Sequence, residues 1–176
     1  MKPKQTNTPS DEALYAECME RIKRRTTVIA EFLAKSRSTG YMITDVEFLA
    51  LQFRKVLEGI ALASICAHRQ DYERIREDFG KDWNARLITS DIQRVNPDFY
   101  PTPIENDDVI DSTTGIPRWV EKTTGFLTKK QFLRFYERSA AILHEQNPYS
   151  RSAIDIENLR TEFLEWHALK KAAAVE

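Results

Sequence analysis

The most apolar stretch of the chain, residues 44–68, reads TDVEFLALQFRKVLEGIALASICAH and is apolar almost all the way round a helix. A surface helix shows a single apolar stripe, so a helix with this pattern has to be enclosed by other helices. Thr44 is followed three residues later by Glu47, a capping-box pattern that marks the start of a helix. The pattern predicts a central helix roughly 37 Å long at 1.5 Å per residue.

Shorter amphipathic segments predict the rest of the bundle. Ser10 with Asp11 and Glu12 is typical of a helix start, and Thr128 with Gln131 repeats the capping box. These segments end at a glycine (Gly40, Gly80) or at an Asn-Pro pair (Asn96-Pro97, Asn147-Pro148). The sequence therefore predicts an all-α bundle of four or five helices, the outer ones covering residues 11–34, 82–95, 128–146 and 153–171. The apolar residues of the last three helices are expected to pack inward, namely Trp83, Leu87, Ile92, Phe132, Phe135, Tyr136, Leu143, Ile156, Leu159, Phe163, Leu164 and Trp166.

The segment 97–125 interrupts the helical pattern. Residues 96–125 contain four of the seven prolines and two of the five glycines. Extended pieces near 102–105 and 118–122 predict a short β-hairpin inserted between the third and fourth helices. A loop of this length is usually functional or mobile. The alternative is a surface excursion held down by Phe99, Tyr100 and Trp119.

Length and charge limit the classes of function. The chain of 176 residues is expected to form one helical domain over 11–176 after a disordered tail at 1–10. Its net charge of −1 gives no global basic field, which weakens a nucleic-acid-binding reading without excluding it.

The apolar segments do not predict a membrane protein. The polar start lacks the apolar run of a signal peptide, and the central helix is interrupted by charged residues. Cys18 and Cys66 fall inside predicted helices, as expected for small buried hydrophobes in a reducing compartment. We therefore expect a cytoplasmic protein.

Three charged residues of the central helix, Glu47, Arg54 and Glu58, fall within roughly 40° of one another at 100° per residue. A guanidinium between two carboxylates could shift the pKa of an acid or base, or bind a phosphate. The alternative is a buried ion pair that fixes how the helices pack.

A second candidate pair, Arg138 and His144, lies near the end of the fourth helix and is followed by Asn147-Pro148. The two side chains are about 120° apart on an ideal helix, so they share a face only where the helix ends or bends. A histidine there could move a proton on a ribose hydroxyl while arginine binds phosphate. Alternatively, the histidine is favoured by the helix dipole and Arg138 is solvated.

Metal and cofactor sites are not predicted. His68, His144 and His167 are far apart in sequence, and no paired Cys or His motif is present. The sequence also lacks a Gly-rich phosphate loop and a nucleophile elbow.

Residues 51–68, 96–104 and 125–149 together resemble a group of bacterial helical proteins of unassigned function. The segment RSAAILH, residues 138–144, is similar to the motif of the HEPN superfamily of all-α domains, in which four to six residues separate Arg from His. Many HEPN proteins are metal-independent ribonucleases, often in toxin–antitoxin or phage-defence systems. Ser139 departs from the larger polar residue that usually follows the arginine.

The resemblance implies a homodimer that cleaves RNA with Arg138 and His144 as the catalytic pair and with no metal. Glu47, Arg54, Glu58 and Asn147 would form a supporting polar network. An antitoxin-like partner protein is a further expectation. The alternative function is a non-catalytic helical interaction or regulatory module, in which the charged stripe only specifies packing.

Overall fold

The computed structural model describes residues 9–75, 79–100, 102–110, 113–145, 147, 149 and 155–171. Six helices and one hairpin form the described fold: α1 Asp11–Leu33, α2 Met42–Ala67, α3 Arg69–Glu73, α4 Ala85–Val95, β1 Ile104–Ile110, β2 Pro117–Glu121, α5 Lys129–Ile142 and α6 Ile156–Lys171. The predicted helical bundle with an inserted hairpin is confirmed in outline, although the sheet means that the fold is not purely helical. The described residues form six helices instead of four or five, and because the short α3 was not predicted, the hairpin lies between the fourth and fifth helices. The predicted disordered tail lies, for residues 1–8, outside the described residues.

Helix α2 occupies the centre, in contact with α1, α4, α5 and α6. Its buried apolar residues are spread over most of its circumference, as the sequence pattern predicted: Val46, Leu49, Ala50, Phe53, Val56, Leu57, Ala61, Ala63 and Ile65. Leu51 and Lys55 are exposed, so one narrow side remains open.

Aromatic side chains join α6 to α2 and α5. The Trp166 ring stacks on Phe135 with centroids 4.4 Å apart. It also meets the edges of Phe53 and Phe163 at 5.5 and 5.2 Å. Trp166 is almost completely buried, which makes this cluster the contact that fixes α6 on the bundle.

The start of α2 differs from the predicted capping box. Its N-cap is Tyr41, without a side-chain cap, and Thr44 lies inside the helix. The Asp45 carboxylate instead accepts hydrogen bonds from the Thr39 backbone N–H at 2.6 Å and the Ser38 hydroxyl at 2.8 Å. Burial raises the pKa of Asp45, but these hydrogen bonds outweigh it and leave the pKa lowered. The expected caps at Ser10 and Thr128 are confirmed.

Four apolar residues predicted to face inward are exposed, namely Trp83, Leu87, Leu143 and Leu164. In α4 the buried stripe is Ala85, Ile88, Thr89 and Ile92, and in α6 it is Leu159, Phe163 and Trp166. At 100° per residue, Leu87 lies about 150° and Leu164 about 130° from the centre of the buried stripe of its helix, which places both toward solvent.

The hairpin pairs β1 with β2 in antiparallel register, with Asn106 opposite Trp119 and Glu105 opposite Val120. Val120 is half-buried whereas Trp119 is exposed, because successive residues of a strand point to opposite faces. Trp119 therefore does not hold the insertion down as expected. Phe99, which is buried, and Tyr100, whose hydroxyl donates to the Leu127 carbonyl at 2.9 Å, do so at the base.

We expect Trp166→Ala to lower the free energy of unfolding by about 3–5 kcal/mol, because it removes a fully buried indole from the aromatic cluster. Trp83→Ala is the matched control, since Trp83 is 62% exposed and should change stability by less than about 0.5 kcal/mol. Urea denaturation of both variants checks this. An equal loss of unfolding free energy in Trp166→Ala and Trp83→Ala would contradict the packing of α6 through Trp166.

Candidate functional site

Arg54 and Glu58, the centre of the predicted charged stripe, form an ion pair on α2. The Arg54 Nε lies 3.2 Å from Glu58 Oε1. Lys55 Nζ reaches the other carboxylate oxygen of Glu58 at 2.7 Å. Glu58 is buried, so both of its oxygens are compensated by cations from its own helix.

The rest of the Arg54 side chain is directed at α5. Its Nη2 donates to the Tyr136 hydroxyl at 2.8 Å, and the guanidinium carbon lies 4.2 Å from the centroid of the Tyr136 ring. Arg54 Nη1 is buried and has no hydrogen-bond partner among the described residues. The arginine therefore connects α2 to α5 in the interior.

Glu47, the third member of the stripe, lies two turns before Arg54 on the same helix and is half-buried. Its carboxylate makes no ion pair or hydrogen bond with any residue that the structure describes. Seven residues separate Glu47 from Arg54. This spacing puts them at a similar angle around the helix, but about 10 Å apart along the helix axis.

Arg138 belongs to a different surface. Its Nε lies 3.2 Å from Glu162 Oε2 of α6, and both line an open polar groove of about 380 Å³ between α5 and α6. Tyr136 precedes Arg138 by two residues, so the two side chains leave α5 about 160° apart. The Arg54–Glu58 ion pair therefore lies on one side of α5 and Arg138 on the other, so the ion pair does not orient Arg138.

His144 follows Leu143, the C-cap of α5, and is exposed. Its imidazole has no hydrogen bond or ion pair to another described residue, including Arg138. Asn147 uses its side-chain oxygen locally, accepting from the Tyr149 backbone N–H at 3.0 Å. The two predicted catalytic side chains therefore do not contact each other within the described part of one chain.

Lys130, Arg134 and Arg138 form a basic stripe along the exposed side of α5 at spacings of four residues. Arg134 and Arg138 both line the groove against α6. Of these three residues, only Arg138 was predicted from the sequence. The i, i+4, i+8 spacing in KKQFLRFYER was the signal that could have revealed the stripe.

A second concave surface, which the sequence analysis did not predict, is an apolar cavity of about 560 Å³. It lies between α1, α2 and the segments that flank the hairpin, and we call it the α1–α2 cavity. Met19, Ile60, Ala63, Phe99 and Leu127 supply apolar walls. The first and last of its lining residues, Tyr15 and Leu127, are more than 100 residues apart in sequence.

The hairpin is the third feature. Its apolar side chains Ile104, Val109, Ile110 and Trp119 are exposed, as is Ile116 in the connection. The two strands pair mainly with each other, and among the described residues neither strand has an extensive contact with a helix. Exposed apolar residues grouped in this way mark a surface for contact with another molecule.

Neither membrane insertion nor metal binding is indicated by the described residues. None of the described helices is long and apolar enough to cross a membrane. No group of three or more His, Cys, Asp or Glu side chains within the described ranges is placed to hold a metal ion.

In comparisons with known proteins, no family model matches this chain, and no curated protein or solved structure matches it either. The functional interpretation therefore depends on the geometry of its own surfaces.

A double-mutant cycle tests the structural role of the α2 ion pair. Glu58→Leu alone should lower the free energy of unfolding by about 3 kcal/mol, because it leaves the Arg54 guanidinium buried without its carboxylate. Arg54→Met combined with Glu58→Leu should be near neutral, since both buried charges are then removed. Chemical denaturation of wild type, Arg54→Met, Glu58→Leu and the double variant measures the four free energies of unfolding. Additive losses in the double variant would show that the two residues act separately.

Proposed function

We propose that this chain is a non-catalytic helical interaction module that binds a second copy of itself through its hairpin. The observation that carries the proposal is the exposed apolar hairpin, where Trp119 and Ile110 are 53% and 65% exposed. A two-stranded hairpin is at best marginally stable by itself and needs packing against another element. A second chain would supply that packing.

The charge of the hairpin indicates what it would contact. Residues 104–121 contain five acidic residues and one basic residue, Arg118, so the segment has a net charge of −4. Two such hairpins placed face to face would repel each other. A basic surface is the complementary partner.

The basic stripe of α5 provides such a surface on the same molecule. Among its three cations, Arg138 has Glu162 as a partner, whereas Lys130 and Arg134 make no ion pair with a described residue. In a two-fold symmetric dimer, a hairpin that contacts α5 of the other copy generates the reciprocal contact automatically. The proposed dimer therefore buries two copies of one charge-complementary, partly apolar contact.

Sedimentation velocity over a range of concentrations tests the dimer. Wild type should dimerise, and both Trp119→Ser and Arg134→Glu should raise the dimer dissociation constant by about tenfold or more, because an apolar anchor or a complementary charge is lost. Trp83→Ser, which changes an equally exposed tryptophan on another surface, should have no effect. A monomeric wild type, or equal weakening by Trp83→Ser, would contradict the proposal.

A metal-independent ribonuclease of HEPN-like type is the second candidate. It is favoured by the exposure of both Arg138 and His144 near the end of α5, where a long RNA chain could reach them. His144 would move the proton on the 2′-hydroxyl or the leaving oxygen, and Arg138 would stabilise the charge of the phosphorane. In a dimer, two copies of this pair would line one cleft. In a toxin or phage-defence role, an antitoxin-like protein would cover this surface.

Cleavage of end-labelled RNA in the presence of EDTA tests the ribonuclease candidate. His144→Ala should reduce the cleavage rate by about 100-fold, as expected for the loss of a general acid or base. His68→Ala, which changes a histidine of the α1–α2 cavity, is the matched control and should retain activity. Equal cleavage by wild type and His144→Ala would exclude this candidate.

A further inference from the structure

We propose that the α1–α2 cavity binds an elongated apolar carboxylic acid, a property independent of both candidate functions. The cavity has a volume of about 560 Å³, within the range of 300–1,000 Å³ that is usual for small-molecule sites. Apolar residues dominate its walls, and a few polar groups lie among them. This combination fits a ligand with a long apolar body and one polar end.

The charge of the lining selects an anion. Lys23 and His68 line the cavity, and none of its described lining residues is Asp or Glu. Lys23 also lies 3.8 Å from Glu20, but both side chains are more than half exposed, so that contact is weak and readily exchanged. A ligand carboxylate at the rim could therefore be bound by Lys23 without displacing a buried partner.

His68 adds a directed hydrogen-bond donor. The Asn96 side-chain oxygen accepts from the Asp98 backbone N–H at 3.2 Å, which orients the amide nitrogen of Asn96 toward His68 Nδ1 at 3.4 Å. Since that nitrogen is a donor, Nδ1 of His68 accepts and the ring proton resides on Nε2. Nε2–H has no partner among the described residues, so it is available to a ligand oxygen.

The Tyr100 hydroxyl, one of several in the lining, does not compete for this role. The Tyr100 hydroxyl already donates to the Leu127 carbonyl at 2.9 Å. Burial raises the pKa of Tyr100, so it stays neutral at physiological pH. The neutral Tyr100 connects the two segments that flank the hairpin. Lys23 and His68 are therefore the two residues of the cavity that would bind an anion.

Isothermal titration calorimetry with three probes of equal chain length tests the proposal: dodecanoate, dodecan-1-ol and dodecylammonium, each below its aggregation concentration. Wild type should bind dodecanoate at least about tenfold more tightly than the other two. Lys23→Glu should weaken dodecanoate binding by at least about tenfold and favour dodecylammonium, because the charge at the rim is reversed. Lys35→Glu, the same change at an exposed position outside the cavity and outside the basic stripe, should leave all three affinities unchanged.

Two further variants locate the site. Ala63→Leu should abolish binding of all three probes because it fills the cavity, and His68→Phe should weaken dodecanoate alone because it removes the donor. Where Ala63→Leu does not fold, as judged by circular dichroism, Lys23→Glu and His68→Phe decide the matter. Absence of dodecanoate binding to wild type, equal affinity for dodecanoate and dodecylammonium, or dodecanoate binding unchanged in Lys23→Glu and His68→Phe would each overturn the proposal.

Discussion

Enclosure of α2 by four other helices is the constraint on which the rest of the structure depends. A helix that is apolar around most of its surface cannot remain in water, so α1, α4, α5 and α6 pack around it. The same enclosure explains why Arg54 and Glu58 are paired so closely. A charge on the buried side of α2 has to be compensated where it lies, and Glu58, Lys55 and Tyr136 do this.

Enclosure also separates the interior of the molecule from the surfaces that can act. The sequence left open whether the ion pair of α2 is a functional site or a packing contact. In the structure Arg54 joins α2 to α5 through Tyr136. The chemistry that is open to other molecules lies outside this interior: the basic stripe on α5, the apolar hairpin and the α1–α2 cavity. The proposed functions use these three surfaces and leave the ion pair its role in stability.

Much of the fold could be predicted from the sequence because the signals that form a helix lie close together in the chain. The apolar pattern of residues 44–68, the caps at Ser10 and Thr128 and the proline-rich insertion each predict one element, and the structure confirms them. The capping box predicted at Thr44 was wrong because the helix begins earlier, at Met42, and the Thr44 hydroxyl donates to the Tyr41 carbonyl instead. The site was less accessible to prediction. Tyr136 lies 82 residues from Arg54, and the cavity is lined from both sides of the hairpin, so no local spacing could reveal either contact.

Native-state hydrogen exchange measures the central claim most directly, because it reports the free energy of opening at each amide. If α2 is the enclosed axis, amides from Leu49 to Ile65 should exchange only through global unfolding. Amides of the hairpin strands in the monomer should exchange by local opening at far lower free energy. Exchange of α2 at the rate of the hairpin would contradict the account, since α2 would then open without unfolding the helices that surround it.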